Sequence, residues 1–312
     1  MGRFEYNGII VIYKEKGFTS HDVVAKLRGI LKQKKIGHTG TLDPMAEGVL
    51  PVCLGSATKL CDMLTESGKE YETTLLLGKV TDTQDVTGTV LNEAPDEAVM
   101  GLSEDEIRSA VNSFTGDYRQ IPPMYSALKV NGKKLYELAR EGKTVERKAR
   151  LVTIYKTDIL SIELPLVRLR VSCSKGTYIR TLCEDIGNRL SVGGTMQELL
   201  RTRAHEFDIK DSHRLSEIEE LNRNGELINV IIPTDSVFKK AGDIHPKDAG
   251  CAPEVYKKLL LNGNTIPRRI IKKNIDPYDG EQFRFYDEER RFIGLYSYDG
   301  KRNSFVPEKM FL

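Results

Sequence analysis

Tryptophan is absent from the 312 residues, and cysteine and histidine number only five each. The cysteines (53, 61, 173, 183 and 251) are odd in number and contain no C-x-x-C pair. That argues against a disulfide framework and against zinc ligation, and points to buried thiols in a reducing compartment. The histidines at 21, 38, 205, 213 and 245 show no metal-ligand spacing, so no structural metal is expected. Long apolar runs are missing as well: none approaches the roughly 20 residues that a membrane helix needs. The opening MGRFEYNGIIVIYKEKG carries an acid and lacks the apolar region and cleavage site of a signal peptide. A cytoplasmic protein without membrane association is expected.

The total charge is slight, +2, but its distribution is uneven. Residues 117–150 hold nine Lys/Arg against four Asp/Glu, and residues 256–273 hold six Lys/Arg and no acid. Two basic blocks on an otherwise acidic chain suggest two patches for a polyanion, although a basic run is commonly just a solvated face. The length suggests two domains. The pattern loosens around Asn222-Arg-Asn-Gly225 and Pro233, which places a boundary near 236 and gives units of 1–235 and 236–312.

The segment 37–55, GHTGTLDPMAEGVLPVCLG, sets one acid, Asp43, in a loop with no packing residues of its own. Gly37, Gly40 and Gly48 permit backbone conformations that a β-carbon forbids, and Pro44 biases Asp43 away from the helical region. The apolar run Val49–Leu54 reads as a buried strand that anchors the loop. Elsewhere Gly8–Lys14, Tyr71–Leu77 and the alternating Val167–Cys173 read as strands, the last with Arg168 and Arg170 on its polar face. Thr19 and Asp22 have capping-box spacing ahead of a helix with Val23, Val24, Leu27, Ile30 and Leu31 inward. Ser103 and Glu106 introduce a second helix, and Ile179, Leu182, Cys183, Ile186 and Leu190 form the apolar stripe of a third. Strands alternate around Asp279-Gly280 and Asp299-Gly300 near the end. The mixture lacks a strict βαβ rhythm, so the expected class is α+β with a largely antiparallel sheet and flanking helices.

The loop string closely resembles the catalytic loop of the TruB family of tRNA pseudouridine synthases. The resemblance continues, in the family's order, through Lys69-Glu-Tyr71, Ile121-Pro-Pro-Met-Tyr-Ser-Ala-Leu-Lys129, Gly132-Lys-Lys-Leu-Tyr136 and Ser172-Cys-Ser-Lys-Gly-Thr-Tyr-Ile-Arg-Thr181. One departure is Lys14-Glu15-Lys16-Gly17, where the family usually has a proline after the lysine. The resemblance implies a pseudouridine synthase fold and a cofactor-free conversion of uridine to pseudouridine at position 55, in the T loop of tRNA. Asp43 would be the catalytic carboxylate, Arg180 its ion-pair partner, and Tyr71 the ring stacked on the uracil near C5. Tyr178, His38, Leu200 and Lys14 would contact or surround the flipped nucleotide. Leu200 also fits an apolar helical setting, and Lys14 a plain surface charge. The 117–150 block would be an insertion clamping the T stem-loop through Lys129, Lys133 and Lys134. The C-terminal unit would be a small PUA-like β-barrel whose basic residues reach the acceptor end. A monomer is expected.

Other chemistries find less support. Thr81–Asp85 lacks the terminal bidentate Glu of a calcium loop. Gly37–Gly40 carries only half of an H-x-G-H motif, and Gly55–Lys59 lacks the Walker order. A tRNA-binding folding factor without chemistry, and a guide-RNA-dependent relative, both fit the basic blocks. The intact Asp43, Tyr71 and Arg180 set argues for chemistry, and the long basic insertion argues for a stand-alone enzyme.

Overall fold

The computed structural model describes residues 5–130 and 132–312. Strand β1 (Gly8–Lys14) leads into helix α1 (Ser20–Leu31), β2 (Ile36–His38) and β3 (Glu47–Leu54). Short helix α2 (Cys61–Thr65) precedes β4 (Lys69–Leu77) and a ribbon of β5 (Lys79–Thr81) and β6 (Val90–Glu93). Helices α3 (Asp96–Met100) and α4 (Glu104–Asn112) run into β7 (Gly116–Gln120). The basic insertion holds a tiny ribbon, β8 (Lys129–Val130) and β9 (Lys133–Lys134), and helix α5 (Leu135–Arg140). Then come β10 (Arg150–Glu163), β11 (Leu166–Cys173), α6 (Ile179–Arg189), β12 (Gly194–Ala204), β13 (Phe207–Asp208) and α7 (Leu215–Asn224).

Apart from the β5–β6 and β8–β9 ribbons, these strands form one sheet in the order β1-β3-β12-β4-β11-β10-β7, with β2 on β3 and β13 on β12. Every pairing is antiparallel except β12 with β3. That parallel contact needs Gly48, whose φ is +101° and where an added Cβ would lie 2.3 Å from the Arg201 carbonyl oxygen. The period-two alternation of β1 and β3 divides their apolar residues between two layers. Ile10, Ile12, Leu50 and Val52 pack with α1 and α7, while Ile9, Val11, Val49 and Cys53 face the other way. Along β4, β11 and β10, a further core gathers Leu75, Val167, Leu169 and Ile154 with residues of α4 and α6. The two capping boxes read from sequence are formed at Thr19/Asp22 and Ser103/Glu106.

The C-terminal residues form β14 (Gly242–Ile244), α8 (Pro253–Leu261), β15 (Ile266–Pro267), β16 (Gln282–Tyr286), β17 (Phe292–Asp299) and β18 (Ser304–Met310). Their order is β14-β16-β17-β18-β15, a curled half-barrel rather than a closed ring. One expectation needs correction. Residues 194–204, read around Leu200 as helical, are the strand β12 at the centre of the sheet. A pair of leucines set between Glu198 and Arg201 carries no periodicity that separates a strand from a helix. In the insertion, Leu135 and Leu138 on α5 are buried.

Candidate active site

The loop between β2 and β3 is held from both ends, leaving Asp43 little freedom. Ser20, at the start of α1, accepts from the Leu42 backbone N–H at 2.9 Å, and Asp43 O accepts from Ala46 N at 3.1 Å. Pro44 O accepts from Gly17 N at 2.8 Å and from Lys14 Nζ at 3.4 Å. The Lys14–Gly17 turn therefore clamps the Asp43 loop directly. Lys14 is fully buried, and its ammonium also donates to Phe18 O at 2.6 Å and Glu15 O at 3.2 Å. Burial pushes its pKa down to about 8, against the favourable pull of Asp43 and Glu47.

Arg180 meets the loop from the first turn of α6. Its Nη2 lies 2.9 Å from Asp43 Oδ2, and its side chain is 5% exposed against 42% for Asp43. The same guanidinium donates to Thr83 O at 2.9 Å and Tyr125 O at 2.8 Å, and stands 3.9 Å from Asp85 Oδ2. A rigid planar fork with five donors suits such a junction, where a lysine would not. The carboxylate is thus paired, oriented and open on one side.

That open side faces a cleft of about 520 Å³. Asp43, Tyr71, Tyr178, Arg180 and Leu199 are among its walls, as are the cations Lys69, Arg150 and Lys175. Tyr71 is buried, which raises its pKa, and the opposing pull comes first from Arg201. Arg201 stands directly across the β4–β12 ladder from Tyr71 and is fully buried. Its Nε donates to Val49 O at 2.7 Å and its Nη2 to Gly40 O at 3.3 Å, so it braces the Asp43 loop from beneath. Lys69, which donates to Thr65 O and Ser67 O at 3.0 Å each, is pushed down to about 8 by burial and by Arg201.

The sequence of the chain matches the model of the TruB family pseudouridylate synthase N-terminal domain over residues 28–179. Residues 180–239 match the tRNA pseudouridylate synthase B C-terminal domain. A tRNA pseudouridine synthase B from Lachnoclostridium phytofermentans is 52% identical, covering 98% of this chain and 100% of its own. That of Staphylococcus haemolyticus is 42% identical over 98% and 99%. The chain belongs to the TruB family. A chain in the structure of an H/ACA RNP bound to a substrate RNA containing 2′-deoxyuridine superposes with a TM-score of 0.68 at 25% identity. It covers 98% of this chain and 85% of its own length. A chain of a Cbf5-Nop10-Gar1 complex gives the same TM-score at 26% identity, with the same coverage of each chain. The α+β architecture read from the strand and helix pattern is therefore the pseudouridine synthase fold.

Against the TruB motifs, the structure brings Asp43, Tyr71, Tyr178 and Arg180 to one cleft. His38 stands beside that loop rather than in the cleft wall, edge-on to His21 at 5.4 Å, with its pKa lowered by burial. The Leu200 position is off by one: the leucine in the cleft is Leu199. Leu199 faces Thr73 across the ladder and shares a strand face with Arg201, whereas Leu200 pairs with Glu72 on the opposite face. Lys14 is an interior brace, not a surface charge. Lys129 and Lys133 are exposed on the insertion, and Lys134 folds back on Tyr136, donating to its hydroxyl at 3.2 Å. The sequence reading gave no role to Arg201. No local signal set it apart, since Gln197, Glu198 and Arg203 lie in the same strand, and a charge is buried only where partners await it.

Proposed function

We propose that this chain converts uridine to pseudouridine at position 55 in the T loop of tRNA, without a cofactor and with Asp43 as the essential carboxylate. The observation that carries the reading is the Arg180–Asp43 ion pair at the wall of a cleft that also presents Tyr71, Tyr178 and Leu199. The reaction breaks the C1′–N1 bond, turns the uracil in place and joins C1′ to C5, with the C5 proton leaving. Nothing is oxidised and no group is gained, so a fixed carboxylate and a cleft that orients the base supply what the chemistry needs. Two tyrosines and a leucine suit a flipped base by replacing the stacking it loses in the RNA. The TruB relatives at 42–52% identity bear tRNA in their names, which supports the same substrate here.

Lys69, Arg150 and Lys175 at the rim supply positive charge for the phosphates on either side of that nucleotide. The 117–150 insertion, reaching over the cleft from Ala127 and Leu128, is suited to clamp the T stem-loop through Lys129 and Lys133. Residues 1–235 would be the catalytic domain and 236–312 a PUA-like RNA-binding unit. Arg268 in that unit is taken up by the carbonyls of Ile271 and Ile275, leaving Lys257, Lys258, Arg269 and Lys272 exposed for the acceptor end.

The test is tritium release from a tRNA transcript labelled at uridine C5, with no cofactor added. Wild type is expected to release tritium, mapped to the T loop, and Asp43→Asn to release none while still binding the transcript. Release by Asp43→Asn would remove Asp43 from the chemistry.

A further inference from the structure

Gln120 is the last residue of β7, and the basic insertion departs from it. It is 1% exposed, where an amide must find partners for both of its ends. Its Oε1 accepts from Tyr178 N at 2.8 Å, and its Nε2 donates to Tyr178 O at 2.9 Å. One side chain thus pairs with both backbone polar groups of one residue, as a neighbouring strand would. Nε2 also donates to the Tyr118 hydroxyl at 3.0 Å, and that hydroxyl donates to Asp185 Oδ2 at 2.5 Å. Because the Tyr118 proton is committed to Asp185, its oxygen can only accept, and the amide has one allowed orientation.

Tyr178 immediately precedes α6, whose first turn has no side-chain cap. Its ring lines the cleft. Two residues on, Arg180 Nη2 reaches both Asp43 Oδ2 and Tyr125 O, in the insertion. We infer that Gln120 is a positioning residue for the reaction. It locks the Tyr178 backbone to the root of the insertion, so that the Tyr178 ring and the Arg180 guanidinium meet Asp43 in a single geometry. The kinetic half of this inference rests on the proposed reaction; the structural half does not.

Gln120→Met keeps length and bulk and removes all three hydrogen bonds. Gln120→Glu keeps an acceptor for Tyr178 N and loses the donor to Tyr178 O. In single-turnover assays on T stem-loop RNA, the Met variant is expected to react about 10- to 100-fold more slowly, with Kd within about threefold of wild type, and the Glu variant to fall between. Amide exchange followed by mass spectrometry is expected to quicken at Tyr178–Arg180 in Gln120→Met and to stay unchanged in β12 and α4. Unaltered exchange at Tyr178 overturns the inference whatever the kinetics. So does a wild-type rate with altered exchange, or weakened RNA binding with the rate intact. Should Gln120→Met fail to fold, Gln120→Glu carries the same comparison. If wild type itself releases no tritium, the proposed reaction falls, and the exchange comparison still decides whether Gln120 fixes Tyr178.

Discussion

At the scale of single residues, Lys14 ties burial to pH. Its ammonium serves three carbonyls around the Asp43–Pro44 turn, and a neutral amine has one donor fewer and a lone pair aimed at an oxygen. With its pKa pushed down to about 8, the loop loses part of its clamp above that pH. The single-turnover rate is therefore expected to decline above pH about 8. Lys14→Arg, which stays charged, should carry the plateau higher, whereas Lys69→Arg should leave the decline in place. A decline abolished by the Lys69 variant instead would move the titration to the cleft rim. Stability runs the opposite way, because the folded state binds this proton less tightly than the unfolded chain. The cost of the buried charge is full below pH about 8 and is relieved as pH rises toward 10.5. Asp43 was legible through the resemblance of its whole loop string to the TruB loop, because an acid bounded by glycine and proline alone reads as an ordinary turn. Leu199 was not, because neighbouring leucines differ only in strand parity, which appears once the Arg201–Tyr71 register is known.

At the scale of elements, the pairing of β3 with β12 was the hardest feature to read from the sequence. Their parallel contact is two residues long, Leu200 with Glu47 and Arg201 with Gly48, and no local pattern announces it. Yet it joins the Asp43 loop to the strand that carries Arg201 and Leu199. Gly48 makes it possible, combining a left-handed φ with an approach no β-carbon tolerates. Gly48→Ala must move β12 away from β3 or strain the turn, and either path displaces the Val49 carbonyl from Arg201. A loss of about 2–4 kcal/mol in urea unfolding is expected, with the rate on RNA falling further than stability alone accounts for. Gly225→Ala is the control: it too has a left-handed φ, at the end of α7, but with open space around it. Equal losses in both variants would mean that backbone conformation, not the approach to Arg201, sets the requirement at 48. Strands such as β11 were legible because alternation with Arg168 and Arg170 outward is a purely local signal. Helix α5 escaped because six residues inside a basic, glycine-bearing stretch give less than two turns of pattern.

At the scale of the molecule, the two units expected from the sequence share a core. Ile9, Val11, Val49 and Cys53 on the back of the catalytic sheet pack in one cluster with Phe238, Ala241, Leu295 and Phe311. Phe311, next to the last residue, is 5% exposed and lies 5.0 Å from the Phe292 ring and 6.1 Å from that of Phe238. A linker read from composition says where the chain loosens, not what the far unit covers once folded. The C-terminal half-barrel is thus a lid on the strands that anchor the Asp43 loop. If the cluster is continuous in energy as in space, the chain unfolds in one transition, and a fault at its far end is felt throughout. Phe311→Ala removes an aromatic side chain from that cluster and should cost about 3–5 kcal/mol. Calorimetry is expected to show one transition in both proteins, shifted down in the variant, with tyrosine fluorescence and far-UV dichroism coincident. A variant that melts in two steps, with only the C-terminal step displaced, would show that the half-barrel is docked without being energetically joined to the catalytic sheet.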